Sequence, residues 1–385
     1  MTIRPDYLPF GKPNFSDAEI AAVTRVLRSG WVGMGPETIA FEKELAAFLG
    51  APFAVTVNSC TSALFLSLLL HGVGPGDEVI CPSLTWCSTA NAALYLGATP
   101  VFCDVDPDTL CVTAETVRAK LSPRTRAVTV VHYGGLAAPV REIRSALPAG
   151  VAIVEDAAHA LGSRFSDGTP VGASGNLTCF SFYANKNLST GEGGAVALFD
   201  EDLAGRLRSL RLHAMPVDAW KRFSTPRALL KTELSELGYK MNFTDLQASL
   251  GRVQLARQAE FSAARLAIAR RYADFLSALD PPARLQKDVL APGHSRHLFV
   301  VQFPREVPGV ARDDLVLLLR ARNVGASIHY APLHRMPLYA RGGSAPSLPH
   351  TESVCERILT LPFGAAMDGK DAEYVIAQLR EVLPA

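Results

Sequence analysis

Thr178-Cys-Phe-Ser-Phe-Tyr-Ala-Asn-Lys186-Asn-Leu-Ser-Thr-Gly-Glu-Gly-Gly194 is the stretch on which the reading of this chain turns. It opens as a short apolar, β-branched and aromatic run, the pattern of a buried strand. It closes in Gly191, Gly193 and Gly194, which permit tight turns where side chains would clash. Lys186 lies between the two, with small, polar or apolar neighbours until Glu192. Desolvation there disfavours the ammonium form, and a neutral amine can attack a carbonyl. Locally, a lysine snorkelling to the surface at a strand end reads equally well.

Working outward on both sides, short apolar runs alternate with helical segments. Residues 53–57, 78–81, 101–105, 127–132, 151–155, 178–182 and 195–198 read as strands, and 61–71, 88–96, 114–121 and 140–147 as helices. This alternation specifies an α/β fold with an open, mostly parallel seven-stranded sheet. Ligands of such sheets sit outside the carboxyl ends of the strands. Ahead of the sheet, Ser16-Asp-Ala-Glu19 has capping-box spacing for a first helix ending at Ser29-Gly30. Beyond it, 202–213 and a long 246–279 segment are helical, with 216–237 irregular between them. Strand-like 297–303 and helix-like 312–322 mark a smaller C-terminal α+β domain, giving expected domains of 1–255 and 256–385. Gly325–His334 reads as a turn-rich strand carrying His329 and His334, and 341–346 as loop.

With 385 residues, 48% of them hydrophobic, the chain can bury a large core or two domains. Its 38 basic and 37 acidic residues give a net charge of +1, so nothing favours nucleic acid or an anionic membrane. No apolar run is long enough to span a bilayer, and the start lacks a secretory pattern. Seven cysteines without metal-ligand spacing read as reduced thiols of a cytoplasmic protein, with no metal site.

Three loops after strands carry chemistry. Asn58-Ser-Cys60-Thr61-Ser-Ala opens an apolar helix and offers unpaired N–H groups to a phosphate, or is an ordinary cap. Pro82-Ser-Leu-Thr-Trp86 puts an indole at a strand mouth, for stacking on a flat ring or packing on a helix. Glu155-Asp156-Ala-Ala-His159 ends a strand in two carboxylates, which suit an ion pair, a metal or a protonated heterocycle. The Trp31-Val-Gly33-Met-Gly35 turn is a loop or a pocket wall. A phosphate cradle, an aromatic face, a carboxylate and a lysine together are what pyridoxal 5′-phosphate demands.

At this point the chain resembles the sugar-nucleotide aminotransferases of the DegT/StrS type, a fold-type-I pyridoxal-phosphate family, over nearly its whole length. The matching segments are Ser29–Pro36, Gly76–Ile80, Pro82–Asn91, Gly97–Val101, Glu155–Gly162, Phe180–Gly194, Gly238–Ala248 and the His329–His334 turn. Within that family the chain is most similar to the bacterial UDP-4-amino-4-deoxyarabinose branch. The resemblance implies that Lys186 bonds the cofactor and shuttles the proton, Asp156 pairs with its ring nitrogen, Trp86 stacks on the ring and His159 lies near the ring substituents. Cys60, Thr61 and Ser181 would hold the phosphate. Asn242 would reach the neighbouring subunit's cofactor, making a homodimer with shared sites. Trp31, Gly33, His329 and Tyr330 map to the sugar-nucleotide side.

The activity so implied is transfer of an amino group, with glutamate as donor, to a 4-keto sugar on a nucleotide. Tyr183-Ala-Asn185 and the 216–237 segment depart from the arabinose pattern, which widens the acceptor to a 4-keto-6-deoxyhexose on UDP, dTDP or GDP. A 3-keto sugar nucleotide, a cyclitol ketone, or a non-catalytic regulatory protein holding the cofactor are the alternatives.

Overall fold

The computed structural model describes residues 3–215, 234, 236–303, 311–340 and 346–383. The helices Asp17–Ser29 (α1) and Pro36–Leu49 (α2) precede the sheet. In α1 the Ser16 hydroxyl and the Glu19 carboxylate cap each other's backbone, and Gly30 closes the helix in the left-handed region, as the sequence spacing requires.

Seven strands form the large sheet: β1 (Phe53–Val57), β2 (Glu78–Pro82), β3 (Thr99–Cys103), β4 (Thr125–Val131), β5 (Ala152–Asp156), β6 (Leu177–Ser181) and β7 (Gly194–Leu198). Their order is β1-β7-β6-β5-β4-β2-β3. Only β7 runs against its neighbours. The run of parallel strands therefore ends at one edge, and β7, being reversed, begins there. Register confirms it: Gly194 lies opposite both Val57 and Ser181, and Asp156 opposite Val131 and Cys179. Strands buried on both faces read as nearly continuous apolar runs, which is why all seven were visible in sequence.

Helices α3 (Cys60–Leu70), α4 (Ser88–Tyr95), α5 (Ala114–Arg118) and α6 (Val140–Ala146) connect successive strands from β1 to β5, and α7 (Glu201–Leu210) follows β7. The expected single helix over 246–279 is instead two, Asp245–Ala256 and Gln258–Ser277. The break is tertiary: Arg257 is held by Glu19 at 2.8 Å, by the Asn14 side-chain oxygen at 3.0 Å and by Glu260 at 2.8 Å. The 325–334 segment is likewise not a strand. It makes one bridge, Ser327 with Thr360, and a short 3-10 turn at Leu333–Arg335. Residues 216–233, most of the irregular segment, and 341–345 lie outside the described residues.

A second, antiparallel sheet joins β8 (Arg284–Leu285), β9 (Phe299–Gln302) and β10 (Ile358–Leu361). Alternation along β9 links two cores. Phe299 and Val301 face a cluster with Ile268, Tyr272, Leu319 and Leu379, whereas Leu298 and Val300 pack with Val128, Val130 and Ile153 beside the large sheet. Leu8 belongs to the former cluster, so the N-terminal strap packs on the C-terminal unit. On this pattern of cores we propose the division at 255/256 for the rest of the chain.

Candidate active site

A cavity of about 490 Å³ opens at the sheet edge where those strand ends collect. Its walls include Cys60, Thr61, Trp86, Asp156, His159, Ser181, Lys186, His329 and Tyr330, nine of the twelve residues singled out from sequence.

The floor on the β1 side is the first turn of α3. The Ser59 hydroxyl accepts the Ser62 N–H at 3.1 Å, leaving the Cys60 and Thr61 amides at the cavity wall without an intrahelical acceptor. Gly194 is pressed against this turn: a Cβ there would come within 2.6 Å of the Ser59 carbonyl carbon and 2.7 Å of the Cys60 nitrogen. Gly193, at φ +150°, has Phe243 in the same position, 2.5 Å from a would-be Cβ. The glycines thus let β7 close on the turn and keep its amides bare.

The two carboxylates at the end of β5 part company because successive strand residues face opposite ways. Glu155 is fully buried against His132 at 2.9 Å, with Ser174 and Asn176 beside it. Burial raises its pKa, and these partners outweigh that and hold it below the ordinary range. Asp156 faces the cavity, accepting from the Thr89 hydroxyl at 2.8 Å and the Ala158 N–H at 3.2 Å. Burial pushes its pKa up against the pull of Thr89, Ala158, Lys186 and His132. A carboxylate so placed still lacks a cationic partner.

Lys186 lies in the turn after β6, its N–H bonded to the Tyr183 carbonyl at 2.9 Å. Burial lowers its pKa to about 8, with Cys60 and Asp156 opposing. Its Nζ is 3.2 Å from His297 Nε2, a contact the sequence reading missed. The only local signal was a histidine opening the apolar 297–303 run.

Trp86 is 61% exposed, at the cavity mouth 5.8 Å from the Tyr330 ring. The Tyr330 hydroxyl meets His159 Nε2 at 3.0 Å, while His159 Nδ1 accepts the Gly134 N–H at 3.3 Å. Burial, then Lys186 and His329, pushes His159 well below its usual pKa, so its one ring proton sits on Nε2 and is donated to Tyr330. His329 Nδ1 contacts Thr360 at 3.0 Å, and burial with Lys186 lowers its pKa to about 3. His334 is structural, buried between Ser83 and Glu352.

Trp31, Gly33 and Asn242 are not brought to the cavity of their own chain. The Trp31 indole folds back to donate to Met34 at 3.2 Å, and the Gly33 carbonyl accepts from Asp245. Asn242 donates to the Phe243 carbonyl at 3.1 Å. Thr85, Thr89 and Asn185 are additions from the structure: Thr85 and Thr89 form a hydroxyl chain to Asp156, and Asn185 lines the cavity.

These residues fit pyridoxal 5′-phosphate: bare amides for its phosphate, an exposed indole for its ring, an uncompensated carboxylate for its ring nitrogen and an amine of lowered basicity. The comparisons with known proteins agree. The model of the DegT/DnrJ/EryC1/StrS aminotransferase family matches residues 13–380. The spore coat polysaccharide biosynthesis protein SpsC of Bacillus subtilis (strain 168) is 41% identical over 385 residues, 99% of this chain and 98% of its own. Among solved structures, the aminotransferase TlmJ from Streptoalloteichus hindustanus superposes with a TM-score of 0.87 at 39% identity, covering 99% of this chain and 98% of that one. DesV from S. venezuelae, solved in complex with a ketimine intermediate, does so at 0.85 and 36%, covering 95% and 94%. This chain therefore belongs to the DegT/DnrJ/EryC1/StrS family, as a sugar aminotransferase whose cofactor is pyridoxal 5′-phosphate.

Proposed function

We propose that the enzyme aminates a keto sugar attached to a nucleoside diphosphate, takes the amino group from glutamate, and delivers a 4-amino sugar. The observation that carries this reading is the pairing, in one cavity, of a lysine whose basicity is lowered to about 8 with a buried carboxylate that lacks a cation. When bound, pyridoxal 5′-phosphate supplies an electrophilic carbon for the amino group and a ring that draws off the electron pair released from the donor carbon.

The chain's residues do the rest. Asp156 would hold a proton on the ring nitrogen of the bound cofactor. Lys186 would take a proton from the donor carbon and deliver it to the cofactor carbon that bears the nitrogen, and would run the same transfer backwards to place a proton on the acceptor sugar carbon. The Cys60 and Thr61 amides with the Ser181 hydroxyl would hold the phosphate, and Trp86 would stack on the ring. His159 orients Tyr330, and His329 with Tyr330 meets the sugar nucleotide.

Trp31, Gly33 and Asn242 would serve the cavity of a second copy in a homodimer, a reading supported by the exposed Val32 and Ile39 beside the Trp31 turn. Seven free thiols suit a cytoplasmic enzyme, and among the described residues no helix is long and apolar enough to cross a membrane. The name of SpsC supports a destination in polysaccharide synthesis.

The test is the reverse half-reaction. Purified enzyme is mixed with a panel of amino-sugar nucleotides, and separately with glutamate, while the cofactor spectrum is followed. Conversion with glutamate and with a 4-amino sugar nucleotide is the expected outcome. Conversion only with 3-amino sugars, or none with glutamate, contradicts the assignment.

A further inference from the structure

The amine of Lys186 needs a resting place whenever it is not bonded to the cofactor, and a buried ammonium needs an acceptor. The structure supplies one in His297 Nε2, 3.2 Å away. Which nitrogen of that ring carries the proton follows from the groups behind it. Asn187 donates from Nδ2 to the Ser295 carbonyl at 2.9 Å, so its Oδ1 must be the atom facing His297 Nδ1, at 3.3 Å. The backbone carbonyl of Asn187 accepts a hydrogen bond from the Gln258 side chain at 3.0 Å, which fixes the residue that carries this amide. An amide oxygen can only accept, so Nδ1 carries the hydrogen and Nε2 presents its lone pair to Lys186.

Protonation of His297 would destroy this arrangement by turning Nε2 into a donor. The surroundings oppose it. The ring is buried, and Lys186, His159, Arg265 and His329 face it, while Asp156 and Cys60 act on Lys186 rather than on the imidazole. His159 packs over the ring at 4.5 Å between centroids. Arg265, on the Gln258–Ser277 helix, is itself buried.

We propose that Asn187 and His297 form a positioning relay that holds the free Lys186 amine in a fixed place and sets its basicity through a hydrogen bond accepted at His297 Nε2. This rests on the reading of Lys186 as the proton carrier and adds to it the group that determines when that lysine keeps its proton. Without the acceptor, the buried ammonium is less stable and Lys186 surrenders its proton at lower pH.

The experiment is done on protein stripped of cofactor. Trace acetic anhydride labelling of Lys186 is followed by peptide mass spectrometry across the neutral and alkaline range. The unaltered chain should show a midpoint near 8. His297→Leu should lower it by about one to two pH units, the size expected of one hydrogen bond to a buried cation. His297→Gln, which restores an accepting oxygen, should return most of the shift, and Asn187→Ala should lower the midpoint partway. Equal midpoints in His297→Leu and His297→Gln, or an unmoved midpoint in Asn187→Ala, overturn the proposal. If His297→Leu does not fold, His297→Ala takes its place in the comparison with His297→Gln, and the Asn187→Ala criterion stands unchanged. In loaded enzyme, His297→Leu should lower kcat with little change in KM for the amino donor. Because labelling needs neither cofactor nor substrate, its outcome is independent of the transfer role of Lys186, which turnover of Lys186→Ala tests separately.

Discussion

Asp156 and Lys186 share a buried cavity and face opposite electrostatic problems. The carboxylate is pushed up by burial and the ammonium pushed down, and a bound ring with a protonated nitrogen would relieve the first. Asp156→Asn keeps the shape and the Thr89 contact while removing the charge. It should still bind the cofactor but slow the amino-donor half-reaction by about 10²–10³-fold, the usual effect of losing one preorganised electrostatic partner. Stopped-flow spectroscopy measures it. The lowered basicity of Lys186 has its own signature. Only the neutral amine attacks a carbonyl, so cofactor capture by stripped protein should quicken about tenfold per pH unit and level off above about 8. The Lys186, Asp156 and Trp86 positions were legible because each stands out against its own local pattern. His297 was not, lying 111 residues from Lys186 in sequence, and neither was the tautomer imposed by Asn187.

Among elements, the approach of β7 to the first turn of α3 leaves the site little room to change. Gly194→Ala would force β7 away from Ser59 and Cys60, at a strain of about 1–3 kcal/mol. Cofactor affinity, measured by titration of stripped protein, should fall by about tenfold or more. Unchanged affinity would mean that the amides of Cys60 and Thr61 do not hold the phosphate. The seven strands of the large sheet were readable from apolar runs and glycine punctuation. The interruption at Arg257 was not, since Glu19 and Asn14 create it from more than 200 residues away in sequence. The same holds for Glu155 and Asp156, whose roles separate only when β5 is given faces.

At the scale of the molecule, stability and site are coupled through buried polar ties as well as through the two cores. Arg211, at the end of α7, reaches Glu42 of α2 and the hydroxyl of Thr56 on β1 at 3.1 Å, while Glu42 also accepts the Thr56 N–H at 2.9 Å. Arg211→Leu leaves the buried Glu42 carboxylate with the more exposed Arg208, 3.9 Å away, in place of its close partner. It should cost about 3–5 kcal/mol in denaturant unfolding, whereas Arg211→Leu combined with Glu42→Gln should recover much of that. No periodicity in the sequence announces this tie. The packing of Leu8 on the C-terminal core is not announced by the sequence pattern either. The central claim concerns one atom, the Nζ of residue 186. Borohydride reduction of enzyme loaded with pyridoxal 5′-phosphate, then proteolysis and mass spectrometry, should find the pyridoxyl group on the peptide carrying Lys186. Its presence on another lysine, or on none, would contradict the account.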